Sequence, residues 1–250
     1  MAKVRQLQGG CFVIDQPDLD LRKSGNISWA QVIGNGDLSH ALSLFYLEAG
    51  PGKSPAINAA LNEAVLYLQE GKCEISICDR QFAVEAGSGV HVRPGESFSF
   101  HNQGKENTRW VVSVCPRVEA LDFNIEETSF NDKYPHRIVS GADRQMQATS
   151  DRFYKLLIGP TVGSEAVTQF IGRIPLSKAP EHFHLYEEAI CILSGHGRMW
   201  AGDSSTDIRP GSMIFLPKKQ PHCLECLDEN GMELMGVFYP AGSPEINYAT

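Results

Sequence analysis

Three histidines and one glutamate hold the chemistry that stands out in this sequence. In EHFHLYEEAICILSG, His182 and His184 are two residues apart, so on an extended strand both side chains leave the same face. Glu188 follows four residues after His184, just before the apolar run Ala189 to Leu193 and the turn residue Gly195. His222 lies forty residues beyond His182, in PGSMIFLPKKQPHCLEC. Three imidazoles and a carboxylate form a borderline-hard donor set, suited to one divalent iron, manganese, nickel, cobalt or zinc ion per chain. Four protein ligands leave positions open on a metal that prefers five or six, so a small-molecule substrate could bind it directly. The pattern predicts a metal-centred site and does not name the substrate.

Such a donor set needs rigid neighbours, and the surrounding sequence reads as strands. ALSLFYLEAGPG, AVLYLQEGKCEISIC, QFAVEAGSGVHVRPGESFSFHN and RWVVSVCP fill residues 41 to 116, and TQFIGRIPL, AICILSGHGRMW, TDIRPGSMIFLP and ELMGVFYP fill 168 to 240. Short, partly alternating runs separated by Gly, Pro and Asn predict an all-β sandwich or barrel rather than a parallel α/β sheet. Residues 141 to 156, GADRQMQATSDRFYKL, are expected to hold one helical turn or none.

The halves read as copies of one another. NEAVLYLQEGKCEI lies over EEAICILSGHGRMW, AGSGVHVRPGESF over RPGSMIFLPKKQPH, and RWVVSVCP over ELMGVFYP. A repeat of about 120 residues is too long for a solenoid unit and implies duplication of a whole barrel. We expect one barrel over residues 1–116, a connection over 117–150 that wraps a barrel, and a second barrel over 151–250.

With these motifs the chain resembles the cupin superfamily in its two-barrel, bicupin form. His182, His184, Glu188 and Gly195 match the first cupin signature, and Gly211, Pro217 and His222 match the second. Leu176 stands where the first signature usually has Gly, while Lys219 and Cys226 replace a Gly and an Asn of the second. The resemblance implies two tandem jelly-roll (double-stranded β-helix) barrels with the metal inside the second. In the first barrel Gly87, Arg93, Gly95 and Asn102 fall on framework positions, Phe98 stands in place of the histidine, and AINAALNEA holds no histidine. Glu63 is expected to align with Glu188, so the first barrel keeps the shape and loses the metal.

Composition narrows the partners. With 22 basic and 30 acidic residues the formal charge is −8, which argues against a nucleic-acid surface or an anionic membrane. No apolar run approaches a membrane span, and MAKVRQLQGG lacks an apolar leader region, so a cytoplasmic location is expected. The seven cysteines are read as free thiols, mostly buried, including Cys223 and Cys226 beside His222. Exposed edge strands make a homodimer the expected assembly, with MAKVRQLQGGCFVI either pairing across copies or covering an edge of its own chain.

Further site candidates follow from strand parity. Tyr186 shares a face with His184 and Glu188 and is a candidate catalytic donor to a metal-bound oxygen or a rim residue; Glu188 could itself act as a base. On TQFIGRIP, Arg173 shares a face with Gln169 and Ile171, and if inward it would bind an anionic substrate group. Trp200 or its neighbour Met199 is expected to form a cavity wall contacting substrate. His196 should face solvent on a hairpin, and His40, His91, His101 and His136 are expected at the surface or in turns.

Three functions fit this reading. A metal-dependent dioxygenase comes first. Redox-neutral isomerase, lyase or hydrolase chemistry at the same metal comes second. The hydrolase alternative resembles the ureidoglycine aminohydrolases, which share a silent first barrel, although their Glu-x-His-x-x-x-His set is here replaced by His182, His184, Glu188 and His222. A non-enzymatic small-molecule-binding bicupin comes third.

Overall fold

The computed structural model describes residues 3–34, 36, 39–58, 61–123, 128–149, 152–246 and 248–249. Among them there is no α-helix, only four short 3-10 turns between strands, and no helix is long and apolar enough to cross a membrane. Residues 141 to 156 accordingly give one 3-10 turn, Gly141–Asp143, followed by the strands Gln147–Thr149 and Arg152–Ile158.

All strand pairs are antiparallel and form four sheets, two to each half. In the first half a seven-stranded sheet centred on Glu63–Glu70 and Thr108–Cys115 faces a five-stranded sheet centred on Lys72–Ile77 and Ser97–Asn102. In the second half an eight-stranded sheet centred on Glu187–Ser194 and Met232–Tyr239 faces a five-stranded sheet centred on Gly197–Ala201 and His222–Cys226. The repeat seen in the sequence is therefore a repeat of two jelly-roll barrels.

The two large sheets pack on each other. Val65, Tyr67 and Val111 of the first barrel share a buried cluster with Ile171, Ala189, Cys191, Met235 and Val237 of the second. Each central strand thus buries one face inside its own barrel and the other against its neighbour. That is why AVLYL and AICIL read as unbroken apolar runs instead of alternating ones.

The amino-terminal arm covers an edge within its own chain. Phe12–Asp15 pairs with Ser212–Phe215 of the second barrel, and Asp15 is held by Arg5, Arg209 and the Ser212 hydroxyl. Burial would raise the Asp15 carboxyl pKa, but these donors outweigh it and hold it below the ordinary value.

Strand parity corrects the alignment of Glu63. Ala64, Leu66 and Leu68 point into the first barrel, so Ala64 has the facing that Glu188 has in the second. Glu63 shares instead the facing of Glu187, towards the seam between barrels. There its Oε1 lies 2.6 Å from His91 Nε2. His91 also departs from expectation: it is fully buried, with Nδ1 against the Val162 carbonyl at 3.1 Å, while His40 and His136 are exposed. A strand whose two faces are both covered leaves no surface position for a histidine.

The first barrel is filled. Phe98 pairs across strands with Ile57 in the register that joins His222 to His182 in the second barrel. Phe98, Phe100 and Trp110 are essentially inaccessible to solvent, with ring centroids 5.7 and 4.7 Å apart. Ile57, Ala64 and Phe98 thus stand where the second barrel has His182, Glu188 and His222.

Candidate metal centre

Strands bring the three histidines together inside the second barrel. His182 opens the short strand His182–Phe183 and pairs with His222, the first residue of His222–Cys226. His184 follows in the loop that leads to Glu187–Ser194, where Glu188 points inward. One ring nitrogen from each histidine lies within 4.8 Å of the others. Glu188 Oε2 is 3.4 Å from His184 Nε2 and 3.9 Å from His222 Nε2.

Neighbouring groups prepare these rings. His182 Nδ1 donates to the Pro180 carbonyl at 3.0 Å and His222 Nδ1 to the Gln220 carbonyl at 2.8 Å, which leaves each Nε2 lone pair for the cavity. His184 Nδ1 is buried without a hydrogen bond of ordinary geometry, and its ring lies on Tyr186 at 5.0 Å between centroids. Burial, with His182 beside it, depresses the His184 pKa to about 4. Burial likewise lowers His182 and drives His222 well below its ordinary value. Burial raises the Glu188 pKa to about 8, against the opposing charge of Arg152. Three neutral imidazoles and a buried carboxyl short of positive charge are what a divalent cation stabilises, so the donor set fits a metal.

The turn that carries His222 explains one departure from the signature. Lys219 occupies the usual glycine position and adopts that left-handed backbone, with φ 64°, as Gly95 does in the first barrel with φ 82°. Its N–H donates to the His184 carbonyl at 2.6 Å, which ties one ligand loop to the other. Because a side chain in this conformation costs about 1 kcal/mol, Lys219→Gly is expected to raise stability by about that amount. Thermal unfolding checks this, and a lower midpoint would contradict it.

Above the ligands lies a cavity of about 250 Å³. Its walls are Tyr154, Phe170, Ile174, Ile190, Leu234 and Phe238, and Arg152 stands among them. Gly236 leaves room for one wall: a β-carbon there would come within 2.3 Å of the Phe170 ring.

Three candidate residues fall elsewhere. Arg173 is exposed at the mouth, with Nη2 3.5 Å from the Asn230 carbonyl, because Phe170, Gly172 and Ile174 are the inward residues of its strand. Trp200 points out of the barrel, donates to Glu225 at 2.8 Å and lies under Lys178 Nζ at 3.6 Å; its neighbours Met199 and Ala201 face inward. Tyr186 is buried behind His184, and its hydroxyl donates to the Ser243 carbonyl at 3.1 Å, away from the ligand nitrogens. The Tyr186 ring thus stacks on His184 while its hydroxyl is turned away from the ligand nitrogens. His196 is on the hairpin beside Asp228 as expected, and Cys223 and Cys226 are free and buried.

Arg152 is the cavity residue that sequence reasoning missed. It donates to the Leu224 carbonyl at 3.0 Å, two residues past His222, and its charge reaches Glu188, His182 and His222. The available signal was the period-two set Arg152, Tyr154 and Leu156 in RFYKLLI, a strand easily taken for a connection.

Fold and site together define a β-barrel duplicated within one chain, with a candidate metal centre in the second copy. Residues 174–238 match the family model described as "Cupin domain". The chain is similar in structure to a Pseudomonas aeruginosa protein titled "Putative Glyoxylate Induced Protein", with TM-score 0.73 and 13% identity over 96% of this chain and 93% of that one. It is similar to an oxalate decarboxylase of Lactobacillus farciminis in a formate complex, with TM-score 0.72 and 12% identity over 92% and 87%. A Bacillus subtilis oxalate decarboxylase gives TM-score 0.73 and 12% identity over 92% and 78%. No curated protein matches the chain by sequence. Residues 174–238 carry the matched domain, and the chain as a whole shares the two-barrel fold of these structures.

Proposed function

We propose that the second barrel is a metal-dependent enzyme acting on a small molecule, with His182, His184, Glu188 and His222 holding one divalent transition metal, and that its reaction is of the dioxygenase type. The observation that carries this reading is the convergence of three ring nitrogens within 4.8 Å at the floor of a buried cavity. When bound, the metal supplies Lewis acidity, redox chemistry and open coordination positions. The chain's own residues do the rest. Pro180 and Gln220 orient two imidazoles, Tyr186 backs the third, and the apolar wall keeps bulk water from the reacting centre.

A redox-neutral lyase at the same centre is the second reading, favoured by the likeness to oxalate decarboxylases, one of which is described with Mn(II) centres. Metal analysis of the purified protein, beside the His182→Ala/His222→Ala variant, tests the shared premise. About one metal ion per chain is expected, falling to background in the variant. Absence of metal from both would overturn the enzymatic reading. Oxygen-electrode screens of the metal-loaded protein with small enols and diols then separate the two. Substrate turnover without oxygen uptake would select the lyase.

A further inference from the structure

We infer that the cavity over the metal ligands takes a small organic monoanion with an apolar body, its anionic oxygens directed towards Arg152 and its hydrocarbon part against Phe170, Ile174, Ile190, Leu234 and Phe238. This deepens the metal-enzyme reading and rests on it.

The cavity has two unlike parts. At its floor three neutral imidazoles, one carboxylate and a divalent ion would leave one net positive charge. The Arg152 guanidinium stands beside it, close enough for its charge to reach Glu188, His182 and His222. Arg152 is half-buried and anchored by the Leu224 carbonyl at 3.0 Å, so its guanidinium is held beside His222 rather than free to swing into solvent. A cation fixed beside a largely apolar wall favours an anion over a neutral ligand, because solvent screens it less there than at an open surface.

The remaining surface is largely hydrocarbon, with Thr149, Tyr154 and, at the mouth, Arg173 as its polar members. Phe170, Ile174, Ile190, Leu234 and Phe238 are each at most 5% exposed, and the hydroxyls among the described lining residues are those of Thr149 and Tyr154. The Tyr154 hydroxyl is already engaged, donating to Glu245 at 2.6 Å with Gln147 2.8 Å away. A bare dianion such as oxalate would leave these walls unfilled, whereas an acid with a short alkyl or aromatic body would cover them. At about 250 Å³ the space falls below the range of drug-sized sites, which limits the ligand to a small acid.

Binding of four probes by calorimetry tests this: hexanoate, benzoate, acetate and 1-hexanol, each with wild type, Arg152→Gln and Arg152→Lys, in metal-loaded and chelator-treated protein. Hexanoate and benzoate are expected to bind at least tenfold more tightly than acetate, within the limit of about fourfold per buried methylene. Hexanoate should also exceed 1-hexanol tenfold. Arg152→Gln should weaken hexanoate tenfold or more, leave 1-hexanol unchanged, and be partly restored in Arg152→Lys.

Equal affinity for acetate and hexanoate, or for hexanoate and 1-hexanol, would overturn the inference, as would an unaltered hexanoate affinity in a folded Arg152→Gln protein. Should that variant fail to fold, the order of the four probes on wild type still decides. The metal reading fails separately: if loading metal strengthens no probe while the same order persists in chelator-treated protein, the ligand class stands and the metal role falls.

Discussion

Replacing Arg137 by methionine is expected to lower the unfolding free energy by about 3–5 kcal/mol, because it strands a buried carboxylate. Arg137 is fully buried and forks onto Glu96, with Nη2 2.8 Å from Oε1 and Nη1 on Oε2. Glu96 also accepts from the Arg93 and Asn131 backbone N–H groups, and the guanidinium lies over the Phe130 ring at 4.3 Å. This one pair fastens the connection between the barrels to a turn of the first.

The pH dependence has a definite sign. Burial alone would raise the Glu96 pKa, but Arg137 and the backbone donors outweigh it and hold it below its ordinary value of 4.5. A carboxyl depressed in the folded state contributes its full stability above that ordinary value and loses it as pH falls through the depressed one. In Arg137→Met the carboxyl loses its counter-charge and is easier to protonate than in wild type. Denaturant titrations of both proteins should therefore differ most near pH 7 and converge below pH 4.5. A gap that stays constant down to pH 3, or one under about 1 kcal/mol at pH 7, would refute the account.

Glu187→Ala is expected to cost about 3–5 kcal/mol by a different route, since it orphans donors and not an ion. The buried Glu187 carboxylate accepts from the backbone N–H groups of His40 at 2.8 Å, Ala41 at 3.1 Å and Leu42 at 3.2 Å, and from the Ser39 hydroxyl at 3.0 Å. Truncation leaves the buried Leu42 N–H unpaired and removes the acceptor of the part-buried His40 and Ala41 N–H groups. Glu187→Gln should cost less, because its amide oxygen still accepts. Equilibrium unfolding measures both, and equal costs for the two variants would contradict the donor-counting argument. The residue beside Glu187 is the inward-facing Glu188, so the strand that carries a metal ligand is the one that grips the other barrel.

Much of this was legible along the chain, because strands carry local signals. His182, His184 and His222 converge as two-residue parity and the cupin-like spacings require, and Phe98 sits in the register of the missing histidine. Facing was harder to read where both sides of a strand are covered. Glu63 and His91 were misplaced because AVLYL and GVHV carry no alternation to show which side meets the neighbouring barrel. Arg173 and Trp200 could be placed on a face but not inside or outside, and Tyr186 shares the inward parity yet turns its hydroxyl to Ser243.

The sequence by itself determined the all-β duplication, the loss of donors from the first barrel and the donor set of the second, since each rests on residue type and spacing. Only the tertiary structure decided that Arg152 joins the site and that the cavity is walled by Phe170, Ile174, Ile190, Leu234 and Phe238. It also decided that the arm at Phe12–Asp15 closes an edge of the second barrel. These residues come from strands distant in sequence, and their meeting is set by how the sheets curve and pack, which no local pattern encodes.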